Sequence, residues 1–202
     1  MSDIELLALH GLAVKKAGPA EAVAKLLGGD EDEVAGALEV AVADGRALAA
    51  KGTFMVTPAG RSWLVEQYPR VFADFRASAQ AVAAYERFEV INKELLTLFT
   101  DWQMVPAGGE RVPNDHSDSD YDNRVIDHIG MQHDRAQGPL QQFAELVARL
   151  RRYVDRLEAA YDSVLAGRLD FVSGARVDSY HTVWFELHED LLRMLGRERE
   201  EQ

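Results

Sequence analysis

Two histidines on one helix face are the first place where this chain could do chemistry. In the stretch 177–195, VDSYHTVWFELHEDLLRML, helical spacing puts Val177, His181, Trp184, His188, Leu191 and Leu195 on one side, with Phe185 and Leu192 beside them. His181 and His188 stand seven residues apart, so one metal ion could not bind both without ligands from another helix. Buried imidazoles need hydrogen-bond partners, and the preceding helical segment offers Asp127, His128, His133 and Asp134. The functional reading is a polar cavity inside a helical bundle, with His181, His188, His128, His133 and Trp184 as ligand-binding residues for a metal or an anion. The plainer reading is two core or interface histidines satisfied by their neighbours, and the missing chelate spacing favours it. The spacing names no particular metal, and no cofactor motif is present.

Other chemistry is sparse. Asp118, Asp120 and Asp122 alternate as at the start of a calcium loop, but Asn123 replaces the required glycine and Ile129 the bidentate glutamate. A solvated acidic loop is the better reading. No Gly-rich phosphate loop, nucleophile elbow or HExxH occurs, so no enzyme class has a positive signal and none is expected. The absence of cysteine excludes thiolate nucleophiles, thiolate metal sites and disulfides. With 202 residues, 47% apolar, the chain can build one or two domains with real cores. The opening MSDIELLALHG lacks a basic leader followed by an apolar run, and no stretch is long and apolar enough to cross a bilayer; a soluble, cytoplasmic protein is expected.

The elements that must position these residues are mostly helical. Asp3–Ala17 reads as a first helix. Gly18-Pro19 opens a second, with Ala20, Val23, Ala24 and Leu27 at helical spacing. Gly28-Gly29 breaks the chain, and Asp30 with Glu33 forms a capping pattern for a third helix, striped by Val34, Leu38 and Val42 and stopped by Gly45. Arg46–Ala50 and Phe54–Val56 are strand-length pieces joined by Lys51-Gly52. Thr57 and Pro58 are a good N-cap and first helical position. A kink or break is predicted at Tyr68-Pro69, followed by one long helix from Arg70 to about Met104 and a polar loop over Pro106–Asn123. From Pro139 to Gly167, Leu140, Phe143, Val147, Leu150, Val154, Leu157, Tyr161 and Val164 alternate by three and four, which predicts one helix with a heptad seam. A last helix spans about 178–195, with Arg197–Gln202 as an exposed end.

The order helix, helix, helix, hairpin, helix over residues 1–64 resembles a winged helix-turn-helix. The string VTPAGRSWL is similar to the wing-to-helix junction of MarR-type and related transcriptional regulators. The resemblance covers the N-terminal third. It implies a mainly α protein, a winged helix with a two-stranded wing at 1–64 and an antiparallel helical bundle for sensing or dimerisation at 65–202. It also implies a third helix in the DNA major groove and a wing over the backbone.

The charges do not suit that role. The third helix, DEDEVAGALEVAVADG, has no Lys, Arg, Asn or Gln to meet phosphates or base edges. Residues 1–64 carry six basic and nine acidic side chains, which leaves them at −3, and the whole chain stands at −12. Phosphate contacts, if any, must come from Lys15, Lys16, Arg46, Lys51 and Arg61. The expectation is a regulatory protein with weak or lost DNA readout. It is expected to be a homodimer paired through the heptad helix, with DNA disfavoured by charge, a protein partner open and no membrane. A second resemblance points to a protein-docking accessory subunit: LHGLAVKKAG and YHTVWFELHEDLLRMLGR look like segments of accessory chains of phosphoenolpyruvate-utilising phosphotransfer enzymes. A small-molecule or metal-binding helical protein centred on His181 and His188 is the third alternative.

Overall fold

The computed structural model describes residues 3–198. The chain is mainly helical, with two small antiparallel sheets. No helix of the described residues is long and apolar enough to cross a membrane. Two compact units divide it: Met1–Ser78 with Glu186–Gln202, and Ala79–Phe185. The sequence boundary at 64/65 falls inside a continuous helix, Pro58–Val71, which holds the residues after it in the N-terminal unit. The end of the chain returns to that unit as well, which no boundary drawn along the sequence could reveal.

In the first unit α1 (Asp3–Lys15) is buried on nearly every side, including Leu6, Leu9, Leu12, Val14 and His10. A helix that is apolar all round belongs in a core, not at a surface. It stops short of the expected Ala17 because Lys16 adopts a left-handed φ of 69°. Ala17–Gly18 then forms a short strand, β1, that pairs with Phe54 and Met55. α2 (Ala20–Leu27) follows, and α3 (Glu31–Ala43) starts where Asp30 Oδ1 accepts the Glu33 N–H. β2 (Ala47–Ala50) and β3 (Thr53–Val56) make the hairpin, and the sheet runs β1-β3-β2, antiparallel throughout. Lys51 and Gly52 both have positive φ, as a tight two-residue hairpin turn demands.

Thr57 caps α4 (Pro58–Val71) by accepting the Gly60 N–H, and its hydroxyl donates to Gly45 O. The break expected at Tyr68-Pro69 comes slightly later. α4 outlasts Pro69 by two residues and ends at Phe72, where a short α5 (Ala73–Ala77) begins. The single long helix expected from Arg70 is thus three pieces, and its main part starts only at Ala79.

The second unit is helical and bundle-like. α6 (Ala79–Gln103) packs on α7 (Ser119–Leu146), and α7 packs on α8 (Arg151–Leu165). Part of the expected polar loop is a hairpin, β4 (Met104–Ala107) with β5 (Glu110–Pro113), turned by Gly108 and Gly109 at positive φ. A short α9 (Asp170–Ser173) precedes α10 (Tyr180–Leu195), which begins in this unit and ends in the first.

The uninterrupted helix predicted from Pro139 to Gly167 does not form. Pro139 sits inside α7, and the chain breaks at Val147 (φ −140°, ψ 99°) before a 3₁₀ turn at Ala148–Leu150. The break lets the two halves of the apolar seam share one interior: Leu140 and Phe143 on one side, Leu150, Val154, Leu157 and Val164 on the other, all buried within the single chain. The seam expected to pair two copies is therefore covered internally. At Gly130 the helices come so close that a Cβ would stand 2.1 Å from the Tyr161 hydroxyl. Of the tail expected as an exposed helix end, Arg197 and Glu198 are exposed, and the last four residues lie outside the described ones.

Candidate functional site

The most organised polar cluster of the first unit is one the sequence did not single out. His10 on α1 lies with Nδ1 3.0 Å from the Tyr68 hydroxyl of α4 and Nε2 2.9 Å from Asp190 Oδ1 of α10. A carboxylate can only accept, so Nε2–H donates to Asp190. A neutral ring then accepts the Tyr68 hydroxyl proton at Nδ1. His10 and Asp190 are fully buried, and the rings of Tyr68 and Phe72 both sit 5.5 Å from the imidazole. One helical turn before Asp190, Glu186 accepts from Lys15 Nζ at 2.7 Å, so α1 and α10 are clamped at two levels in antiparallel sense. The imidazole has no exposed surface, and the arrangement holds three helices in one register.

Tyr68 also borders open space. A cavity of about 440 Å³ has Tyr68, Val65, Pro69 and Leu192 as its less polar lining. Its charged lining is Arg76, Arg193 and Arg197 against Glu189 and Glu198. Arg76 Nε donates to Met194 O at 2.8 Å and Nη2 to Arg193 O at 3.2 Å, which caps the carbonyl end of α10. Gly196, at φ 68°, lies against that guanidinium, where a Cβ would stand 3.0 Å from Cζ. Arg193 Nη2 pairs with Glu189 at 2.6 Å, and its buried Nε has no hydrogen-bond partner among the described residues.

Of the residues chosen from the sequence, His133, His181 and Trp184 gather round the Tyr180 and Phe99 rings. His181 and Trp184 belong to the second unit, His188 to the first, and His128 is exposed. Trp184 stacks on Phe88 at 4.6 Å and donates Nε1–H to Asn92 Oδ1 at 3.0 Å, as a satisfied core residue does. His181 packs against Phe99, ring centres 4.5 Å apart. His133 stacks on Tyr161, meets Gln137 Nε2 at 3.0 Å and the Tyr180 hydroxyl at 3.3 Å. Among the described residues no three His, Asp or Glu side chains form a set that could hold a metal. The acidic loop is likewise internal in part. Asp118 caps α7 through the Tyr121 N–H, while buried Asp122 accepts from Asn114 and pairs with His116 Nδ1 at 2.9 Å.

Burial pushes the imidazoles of His133 and His181 below their usual range; at His133 nearby carboxylates, Asp134 first, oppose the shift in part. The folded second unit therefore holds fewer protons than the unfolded chain just below the ordinary histidine value of about 6.5. Stability rises with pH across that window and is lost as pH falls through it, until the folded imidazoles themselves protonate. Urea unfolding at about pH 7.5 and pH 5.5 is expected to show a lower midpoint in acid. His133→Gln and His181→Gln should flatten the difference, and an unchanged slope in both variants would contradict it.

The basic residues singled out for phosphate contact are scattered and partly engaged. Lys15 is held by Glu186; Arg46 pairs with Asp44 and lies over the Trp63 ring at 4.6 Å. Arg61 Nη1 donates to Val56 O at 3.1 Å. Lys16 is exposed after α1 and Lys51 at the hairpin tip. On α3, Glu31, Asp32, Glu33 and Glu39 are all exposed.

His10, Tyr68, Arg76, Asp190 and Arg193 escaped the sequence reading because they come from separate segments. One signal was present: His10 is a lone imidazole inside the otherwise apolar run LLALHGLAV, which buries a polar group that must find a partner. Compared with protein-family models, with curated proteins and with solved structures, the chain matches none.

Proposed function

We propose that the N-terminal residues form a winged helix-turn-helix, and that it serves a regulatory or accessory protein by docking another protein instead of reading DNA. The order of three helices, hairpin and helix, with β1 added beside β3, supports the winged-helix reading. The observation that carries the docking reading is the surface of α3. Where a reader of DNA presents cations and amides to the groove, this helix presents Glu31, Asp32, Glu33 and Glu39 to solvent. Phosphates would be repelled there, and a basic protein surface attracted.

Retardation of a random-sequence duplex by the full chain tests the first half. At low salt, about 50 mM, where nonspecific binding is strongest, no shift is expected at micromolar protein. A sequence-selective shift that survives about 150 mM salt would return the protein to the DNA readers. For the second half, partner proteins crosslinked to the chain are expected to map to α3 and to be lost in Glu31→Lys with Glu39→Lys.

A further inference from the structure

We propose that the cavity beside Tyr68 is a binding site for a small organic anion, a carboxylate or phosphate monoester carried on an apolar body. Its volume, about 440 Å³, lies in the range of small-molecule sites. Three guanidiniums face two carboxylates in its lining, whereas the chain as a whole stands at −12. A recess that reverses the sign of its protein favours an anion. Guanidinium groups suit oxyanions because their N–H donors lie in one plane and can bind two oxygens side by side. Arg76 is fixed in place by its bonds to the Met194 and Arg193 carbonyls, and a guanidinium has more N–H groups than those two bonds use. Arg193 keeps a buried Nε without a hydrogen-bond partner among the described residues, so turning its head toward a ligand sacrifices little beyond its pairing with Glu189.

The apolar part of the lining sets the rest of the ligand. Val65, Pro69, Leu192 and the Tyr68 ring offer surface that a bare inorganic ion would leave wet. Tyr68 is bonded through its hydroxyl to His10, so an occupant would rest directly on the contact that joins α1, α4 and α10. Occupancy should therefore stabilise the first unit by mass action. The site stands on its lining alone and is independent of whether α3 docks a protein.

Calorimetric titration of the full chain with benzoate and with phenyl phosphate tests the assignment, alongside benzamide and inorganic phosphate. At least one of the two organic anions is expected to bind saturably at one site and to raise the melting temperature. Their order tells carboxylate from phosphate. Benzamide and inorganic phosphate should each bind about tenfold more weakly or worse, and Arg193→Gln should cost the anion about tenfold, equivalent to about 1.4 kcal/mol. Arg197→Gln, at an exposed position, should also weaken binding, and its melting temperature in the absence of ligand checks that it folds, which keeps the test sound if the Arg193 variant unfolds. The assignment is overturned by no saturable binding of either organic anion up to about 10 mM, by benzamide or inorganic phosphate binding equally well, or by affinity unchanged in both arginine variants.

Discussion

Alanine at Gly60 is expected to destabilise the N-terminal unit by about 3 kcal/mol or more, the scale of severe overpacking. An added Cβ would stand 2.0 Å from Arg46 O and 2.9 Å from Val56 Cγ1. Neither side can retreat easily. Arg46 O already accepts the Thr57 N–H at 3.0 Å, Arg46 N–H is bonded to Ala41 O, and Gly60 N–H is held by Thr57 Oγ1. Relieving the clash means lifting the start of α4 off the hairpin and losing the cap. For a chain of this length the melting temperature should fall by roughly 6 to 12 °C. Gly36→Ala supplies the contrast, because a Cβ there meets nothing within 4 Å and lies inside α3. It should be neutral or stabilising by about 0.5–1 kcal/mol. Equal melting temperatures for the two variants would contradict the close approach at Gly60.

The second large effect is expected at Asp190. Asp190→Ala leaves the His10 Nε2–H buried without its acceptor and opens a void beside it. Leaving a buried donor unsatisfied costs about 1–3 kcal/mol, and the void adds to that loss. Asp190→Asn keeps an oxygen in place for the same N–H and should lose distinctly less. A double variant with His10→Ala separates the pair from the void: if the contact is what matters, the combined loss falls well short of the sum of the single losses. Denaturant midpoints of these variants and of His10→Ala alone measure the losses. Additive losses, or an alanine variant within about 0.5 kcal/mol of the parent, would show that the triad does not tie α1 to α10 as its distances indicate.

The features legible in the sequence were those decided within a few residues. Asp30 and Thr57 cap the helices that follow them, because a side-chain oxygen needs only the N–H three residues on. Lys51-Gly52 turns the hairpin because both residues take the positive φ that such a turn requires. The acidity of α3 needs no structure to be seen. By contrast the heptad pattern from Leu140 to Val164 was real as a pattern and misleading as a helix, since periodicity counts apolar spacing and not the φ of Val147. The histidine face of α10 was a real face too. Yet its residues fall in two units, and Trp184 is answered by Asn92, as His133 on α7 is by Gln137 and Tyr180.

Sequence alone determined the kind of protein this is in its local terms: mainly helical, cysteine-free, acidic, with a capped third helix, a hairpin and a glycine-bearing junction after it. Those properties follow from intrinsic preferences and from charges, which act whether or not the chain has closed. Tertiary structure decided where the polar residues inside it find their partners. Residue 10 meets residue 190, and Arg76 meets the end of α10, only because folding brings the two ends of the chain together. A buried polar group must be answered by something, but nothing along the sequence says by what, since the answer is set by which helix faces come into contact.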